Sequence, residues 1–105
     1  MRIIVLFNLR PGISAQDYEA WAAARDIPTV RALPSVAGFD VAAVTGVLDG
    51  EGPAPCAYVE VIDVADMDRF GRDIGTEAMQ AIAAEFRSFA DAPVFLTTRA
   101  LEPAA

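Results

Sequence analysis

The chain has 105 residues, 54% of them hydrophobic, and a formal net charge of −7. That length suits a single domain, and an acidic chain without a basic cluster argues against nucleic-acid binding. Lysine and histidine are both absent, which excludes a Schiff base, lysine-bound pyridoxal phosphate, a Ser-His triad and histidine metal ligation.

The opening "RIIVLFNL", residues 2–9, is rich in β-branched residues and apolar on both alternations. It predicts a strand buried on both faces. Its apolar run ends at Asn8 without a small-residue cleavage site, so it reads as a strand and not a signal peptide. No run approaches the roughly 20 apolar residues of a membrane span. A cytoplasmic protein with no membrane contact is expected. After the turn "RPG", Ser14 opens a helix with Asp17 in its first turn. Tyr18, Trp21, Ala22 and Arg25 fall on one stripe of α-helical spacing. Asp26-Ile27-Pro28 breaks that helix and starts a short second one over 26–33, with Asp26 as its N-cap.

"FDVAAVTGVL" reads as the second strand, "DGEGPAP" as a loop and "CAYVEVIDV" as the third strand. Asp66 caps a helix over about 66–74, which the glycines Gly71 and Gly75 weaken. A stronger helix over about 77–90 turns Ala78, Ile82, Phe86 and Phe89 inward. "DAP" ends it, "VFLTTRAL" forms the fourth strand, and residues 102–105 are a tail behind a domain over 1–101.

The order β-α-β-β-α-β is that of an α+β, ferredoxin-like fold with a four-stranded antiparallel sheet. Helices cover one face of such a sheet, yet the first, third and fourth strands are apolar on both faces. A homodimer packed sheet against sheet resolves the conflict.

Glu60 is the one charge between Ala57 and Ile62. A carboxylate in such a setting is a general acid or base of raised pKa, a partner paired to an arginine, or a group at the sheet edge in water. Asp26 is either a helix cap or a wall of a pocket, and Arg25 either the rim of that pocket or half of an ion pair. Asn8 either orients a ligand or bonds the following turn. Trp21, Tyr18 and Phe70 serve as core or as a binding platform, and Tyr58, on the strand face of Glu60, is a further binding candidate. Glu77 is an exposed first-turn acid or a third candidate for proton transfer. Cys56 has no base beside it and cannot form an internal disulfide. No metal-ligand cluster or Gly-rich phosphate loop is present, so neither metal nor cofactor is expected.

Taken together, "MRIIVLFNLRPG", "YEAW", "PTVRALPSVAGF", "YVEVIDVADM" and "TEAMQAIAAEFRSFAD" resemble the RedY/HapK proteins of prodigiosin-type tripyrrole and bisindole pathways, over about residues 1–100. The resemblance implies a dimeric α/β barrel. It also implies a cofactor-independent cyclase or dehydratase acting on a small pyrrole- or indole-containing intermediate. A cofactor-free monooxygenase and a non-catalytic binding protein are the alternatives. Related barrel families often carry His-x-Pro near the end of the first helix. This chain has Asp26-Ile27-Pro28 there, so histidine chemistry does not carry over.

Overall fold

A computed structural model describes residues 1–104; Ala105, the last residue of the expected tail, lies outside them. The chain runs β1 (Arg2–Leu9), α1 (Ala15–Trp21), a π-helical turn (Ala22–Asp26), α2 (Ile27–Arg31), β2 (Val36–Ala43), β3 (Tyr58–Val64), α3 (Met67–Asp73), α4 (Glu77–Phe89) and β4 (Ala90–Thr97). The four strands form one antiparallel sheet in the order β2-β3-β1-β4. This is the ferredoxin-like α+β arrangement.

β1 lies at the centre, and its alternation divides the molecule. Ile3, Val5 and Phe7 point to the helices and are buried with Tyr18, Ala22, Val30, Met79, Ile82 and Phe86. Ile4 and Leu6 point the other way. Across the register they meet Val61 and Val59 of β3, and Leu96 and Val94 of β4. No helix covers that face, and Val94 and Leu96 are 49% and 42% exposed.

Two of the expected helix caps form, at Ser14 and Asp66, and Thr76 adds a third. The Ser14 hydroxyl accepts the Asp17 N–H, the Asp66 carboxylate accepts the Arg69 N–H, and the Thr76 hydroxyl accepts the Met79 N–H. Thr76 restarts the chain as α4 just beyond Gly75, where the two glycines lead the sequence to a break. Ala78 is exposed and Met79 takes the inward place, one residue later than expected.

Three differences from the sequence reading stand out, and β4 also stops at Thr97, short of the expected Leu101. β2 starts at Val36 and stops at Ala43, because β3 offers hydrogen-bonding partners from Val64 back to Tyr58. β4 begins at Ala90, so Asp91-Ala92-Pro93 lies within the strand. Leu9 and Asn8 of β1 pair with Ala90 and Asp91. Pro93 is tolerated because β4 is an edge strand, and Ala92 at φ 44° marks the irregularity beside it.

The third difference is the break at Asp26-Pro28. There is none. The helix passes through it by widening to a π turn, in which the Ile27 N–H bonds the Ala22 carbonyl five residues back. Pro28 has no N–H to give and its ring would crowd a regular α-helix; the wider turn accommodates it. Asp26 is helical at φ −66°, ψ −58° and its side chain makes no capping bond, so its expected role as N-cap is corrected.

Candidate active site

The π turn decides which side chains reach the interior. A regular helix would carry the buried stripe from Tyr18 through Trp21 and Ala22 to Arg25. The buried residues are instead Tyr18, Ala22, Asp26 and Val30, each four apart. Every four-residue step overshoots an α-helical turn by about 40°; the wider π turn takes back part of that drift and keeps position 26 facing the sheet. Arg25 is correspondingly turned to solvent.

Asp26 faces a cavity of about 340 Å³ between the sheet and the helices. Its floor is Ile3 of β1, Phe39 of β2, Glu60 and Ile62 of β3, and Phe95 and Thr97 of β4. Its roof is Asp26 and Val30, Phe70 of α3 and Ile74 just beyond that helix, and Met79, Ile82, Ala83 and Phe86 of α4. Strand register gathers the floor: Ile62 lies opposite both Ile3 and Phe39, and Thr97 lies opposite Ile3. Phe95 is 60% and Ile74 43% exposed, so the cavity opens between the edge strand β4 and α3. Arg31 fixes the opposite wall by donating to the Phe39 carbonyl at 2.9 Å.

Glu60 and Asp26 are the two acids of this lining, 5% and 4% exposed. Burial pushes Glu60 up to about 8, and the negative charge of Asp26 adds to the shift. Burial alone raises Asp26 to about 6. Oε2 of Glu60 is buried without a hydrogen-bond partner, and so is the hydroxyl of Tyr18. Burial, then the charges of Glu60 and Asp26, holds the Tyr18 phenol far above its usual value. Both shifts favour the protonated carboxyl, and that of Glu60 is the larger.

The other expected site residues divide. Phe70 lines the cavity. Arg25 does not: it grips Glu85 of α4 with Nε–Oε1 and Nη2–Oε2 contacts of 2.6 Å, exposed on the surface. Trp21 donates to the same Oε1 at 2.9 Å and stacks against Phe89 and Phe86, away from the cavity. Tyr58 shares its strand face with Glu60 but lies further along it, stacked on Phe7 and donating to Glu19 Oε2 at 2.7 Å. Asn8 is exposed and follows Ile4 and Leu6 onto the face without helices. Glu77 is exposed in the first turn of α4. Asn8, Trp21, Arg25, Tyr58 and Glu77 thus stand outside this cavity. The readings that put Asn8, Arg25 and Glu77 in it are corrected by strand parity, the π turn and the helix start respectively.

Sequence reasoning missed the Tyr18 hydroxyl and most of the apolar wall. The wall residues carry the ordinary pattern of core positions, and nothing in that pattern tells a packed core from an open one.

The fold and the cavity define a small ferredoxin-like protein that encloses a carboxyl pair in an apolar chamber. The family described as REDY-like protein HapK matches residues 1–101, and the chain belongs to it. HapK from Hahella chejuensis is 29% identical over 100% of this chain and 99% of its own, with a TM-score of 0.72. Two more distant structures share the fold. A dimeric ferredoxin-like protein of unknown function from Thermobifida fusca is 20% identical over 90% of this chain and 85% of its own, with a TM-score of 0.69. A mutant form of SnoaB, a cofactor-independent oxygenase from Streptomyces nogalater, is 16% identical over 98% of this chain and 96% of its own, with a TM-score of 0.69. No curated protein matches the chain by sequence. Membership and fold together point to a protein of small-molecule biosynthesis. Among the described residues, no helix is long and apolar enough to cross a membrane.

Proposed function

We propose that the protein is a cofactor-independent cyclase or dehydratase acting on a pyrrole- or indole-containing intermediate of secondary metabolism. The observation that carries this reading is the buried Asp26–Glu60 pair in one apolar cavity, with Glu60 held further toward its protonated form than Asp26. Ring closure with loss of water needs that combination. A ring carbon or nitrogen of the substrate attacks its own carbonyl carbon while Glu60 gives its proton to the carbonyl oxygen, which becomes a hydroxyl, and Asp26 takes the proton lost from the attacking atom. Asp26 passes that proton to the hydroxyl, the C–O bond breaks, and water leaves a cationic intermediate. Glu60 takes a second proton from the attacking atom or a carbon next to it, which neutralises the product and restores the pair. The apolar walls keep bulk water from trapping the reactive carbonyl or imine.

Asp26 must be ionised and Glu60 protonated, so activity is bell-shaped, falling below about pH 6 and above about pH 8. The protein acts in the cytoplasm as a homodimer, its uncovered apolar sheet face packed on a second copy. The exposed Val94 and Leu96 support this, as does the dimeric relative from Thermobifida fusca.

The test is to incubate the purified protein with an indole- or pyrrole-bearing carbonyl compound and follow product mass and oxygen uptake. The expected product lacks one water, forms without oxygen consumption, and forms slowly with Glu60→Gln. A product that gains oxygen supports the monooxygenase alternative. A product profile that Glu60→Gln leaves unchanged supports a binding protein.

A further inference from the structure

We propose that the cavity is a cation site, accepting an aromatic ligand whose basic, protonated nitrogen lodges between Asp26 and Glu60 and turning away ligands that bear a carboxylate. This rests on the reading that the cavity is where the substrate binds, and it adds the charge that the substrate carries there.

Charge on the cavity lining is of one sign only, the nearby Arg31 guanidinium being spent on the Phe39 carbonyl and Asp40 outside it. From β3 comes Glu60 and from the π turn Asp26. α1 contributes the Tyr18 hydroxyl, within the field of both acids. β1, β2, α2, α3, α4 and β4 contribute Ile3, Phe39, Val30, Phe70, Met79, Phe95 and other neutral side chains. No arginine is among the described residues of the lining, and the sequence has neither lysine nor histidine. Arg25, the cation that the sequence led one to expect here, is held outside by Glu85.

An anionic ligand would lose its hydration beside two acids and gain no counter-charge. A ligand ammonium or iminium meets the opposite situation. Glu60 Oε2 is buried and unpartnered, so a nitrogen-borne proton supplies the hydrogen bond that the protein does not. The rings of Phe39, Phe70, Phe86 and Phe95 surround the chamber and offer π faces to a cation. At about 340 Å³ the cavity falls at the small end of the roughly 300–1,000 Å³ range of ligand pockets, which suits a small aromatic heterocycle. In the dehydration proposed above, the departure of water leaves a cationic intermediate held between two carboxylates. The pair then stabilises the charge that the reaction generates.

The probes are tryptamine and indole-3-propionate, which share a ring and an arm and differ in the charge at its end. Binding is measured by calorimetry at pH 6 and pH 8. Tryptamine is expected to bind about tenfold or more tighter than indole-3-propionate. Its affinity should rise from pH 6 to pH 8 as Glu60 ionises, with net proton release to the buffer near pH 7. Glu60→Gln and Asp26→Asn, both close in shape to the native side chains, should each weaken tryptamine about tenfold, and Glu60→Gln should flatten its pH dependence. Equal or tighter binding of indole-3-propionate overturns the proposal. So does tryptamine binding that neither substitution changes, or none at millimolar concentration. These are binding measurements without turnover. A failed cyclisation assay leaves them standing, and failure here leaves open a reaction on a neutral substrate.

Discussion

The space between sheet and helices holds two regions built from the same elements. At one end, Phe7, Tyr18, Trp21, Tyr58, Phe86 and Phe89 interlock, with ring centroids 4.7–6.5 Å apart. The polar tips of Trp21 and Tyr58 are satisfied there by Glu85 and Glu19. At the other end the aliphatic side chains Ile3, Val30, Ile62, Met79 and Ile82 leave a chamber, and its two carboxyls face one another's charge without a cation. Glu85 and Glu60 sharpen the contrast. Arg25 and Trp21 hold Glu85 below the usual carboxylate range; burial holds Glu60 above it. The same residue type is structural where it is paired and proton-bearing where it is not.

The two ends should respond differently to substitution. Phe7→Ala removes a ring that is 2% exposed and in contact with three others. It should cost about 3–5 kcal/mol in a denaturant melt. Phe70→Ala, at the half-buried cavity wall, should cost about 1–2 kcal/mol and act chiefly on binding. Equal losses would erase the distinction between packed and open ends.

The next effect is on stability against pH. Glu60 keeps its proton to about pH 8 in the folded chain but loses it near 4.5 when unfolded. Between those values the folded state binds the extra proton, so stability falls as the pH rises through the window. Glu60→Gln abolishes that penalty. It should stabilise the protein by about 2–4 kcal/mol at pH 8 and hardly at all below pH 4.5, as read from melting temperatures at both. A variant less stable than wild type at pH 8 would show that the ionised carboxylate has a partner.

Turnover follows. Glu60→Gln should lower it about a hundredfold while leaving the fold intact. The smallest effect belongs to Arg25→Ala, which removes a surface pair remote from the cavity and should change turnover by no more than about threefold. A large loss there would return Arg25 to the site.

Much of the fold was legible because period and punctuation agree along the chain. The alternation of β1, the caps at Ser14 and Asp66, and the glycines before α4 all act within a few residues. What escaped depends on distant partners. Asp91 and Pro93 belong to a strand because Asn8 and Leu9 pair with that segment. Asp26 faces inward because a π turn absorbs Pro28, and a strict 3.6-residue period assigns that place to Arg25. Glu60 stood out as the lone charge of an apolar strand. Its neighbour Asp26 and the Tyr18 hydroxyl could not be joined to it without the crossing of helix over sheet.

The central claim is that Asp26 and Glu60 hold one proton between them at neutral pH. Carboxyl-carbon NMR titration of the protein, with Asp26→Asn and Glu60→Gln to assign the signals, measures it directly. Two carboxyls titrating near about 6 and about 8 are expected, and the higher value should fall when Asp26 is replaced, since its charge no longer opposes ionisation of Glu60. Both titrating near about 4, like solvated carboxylates, would contradict the account.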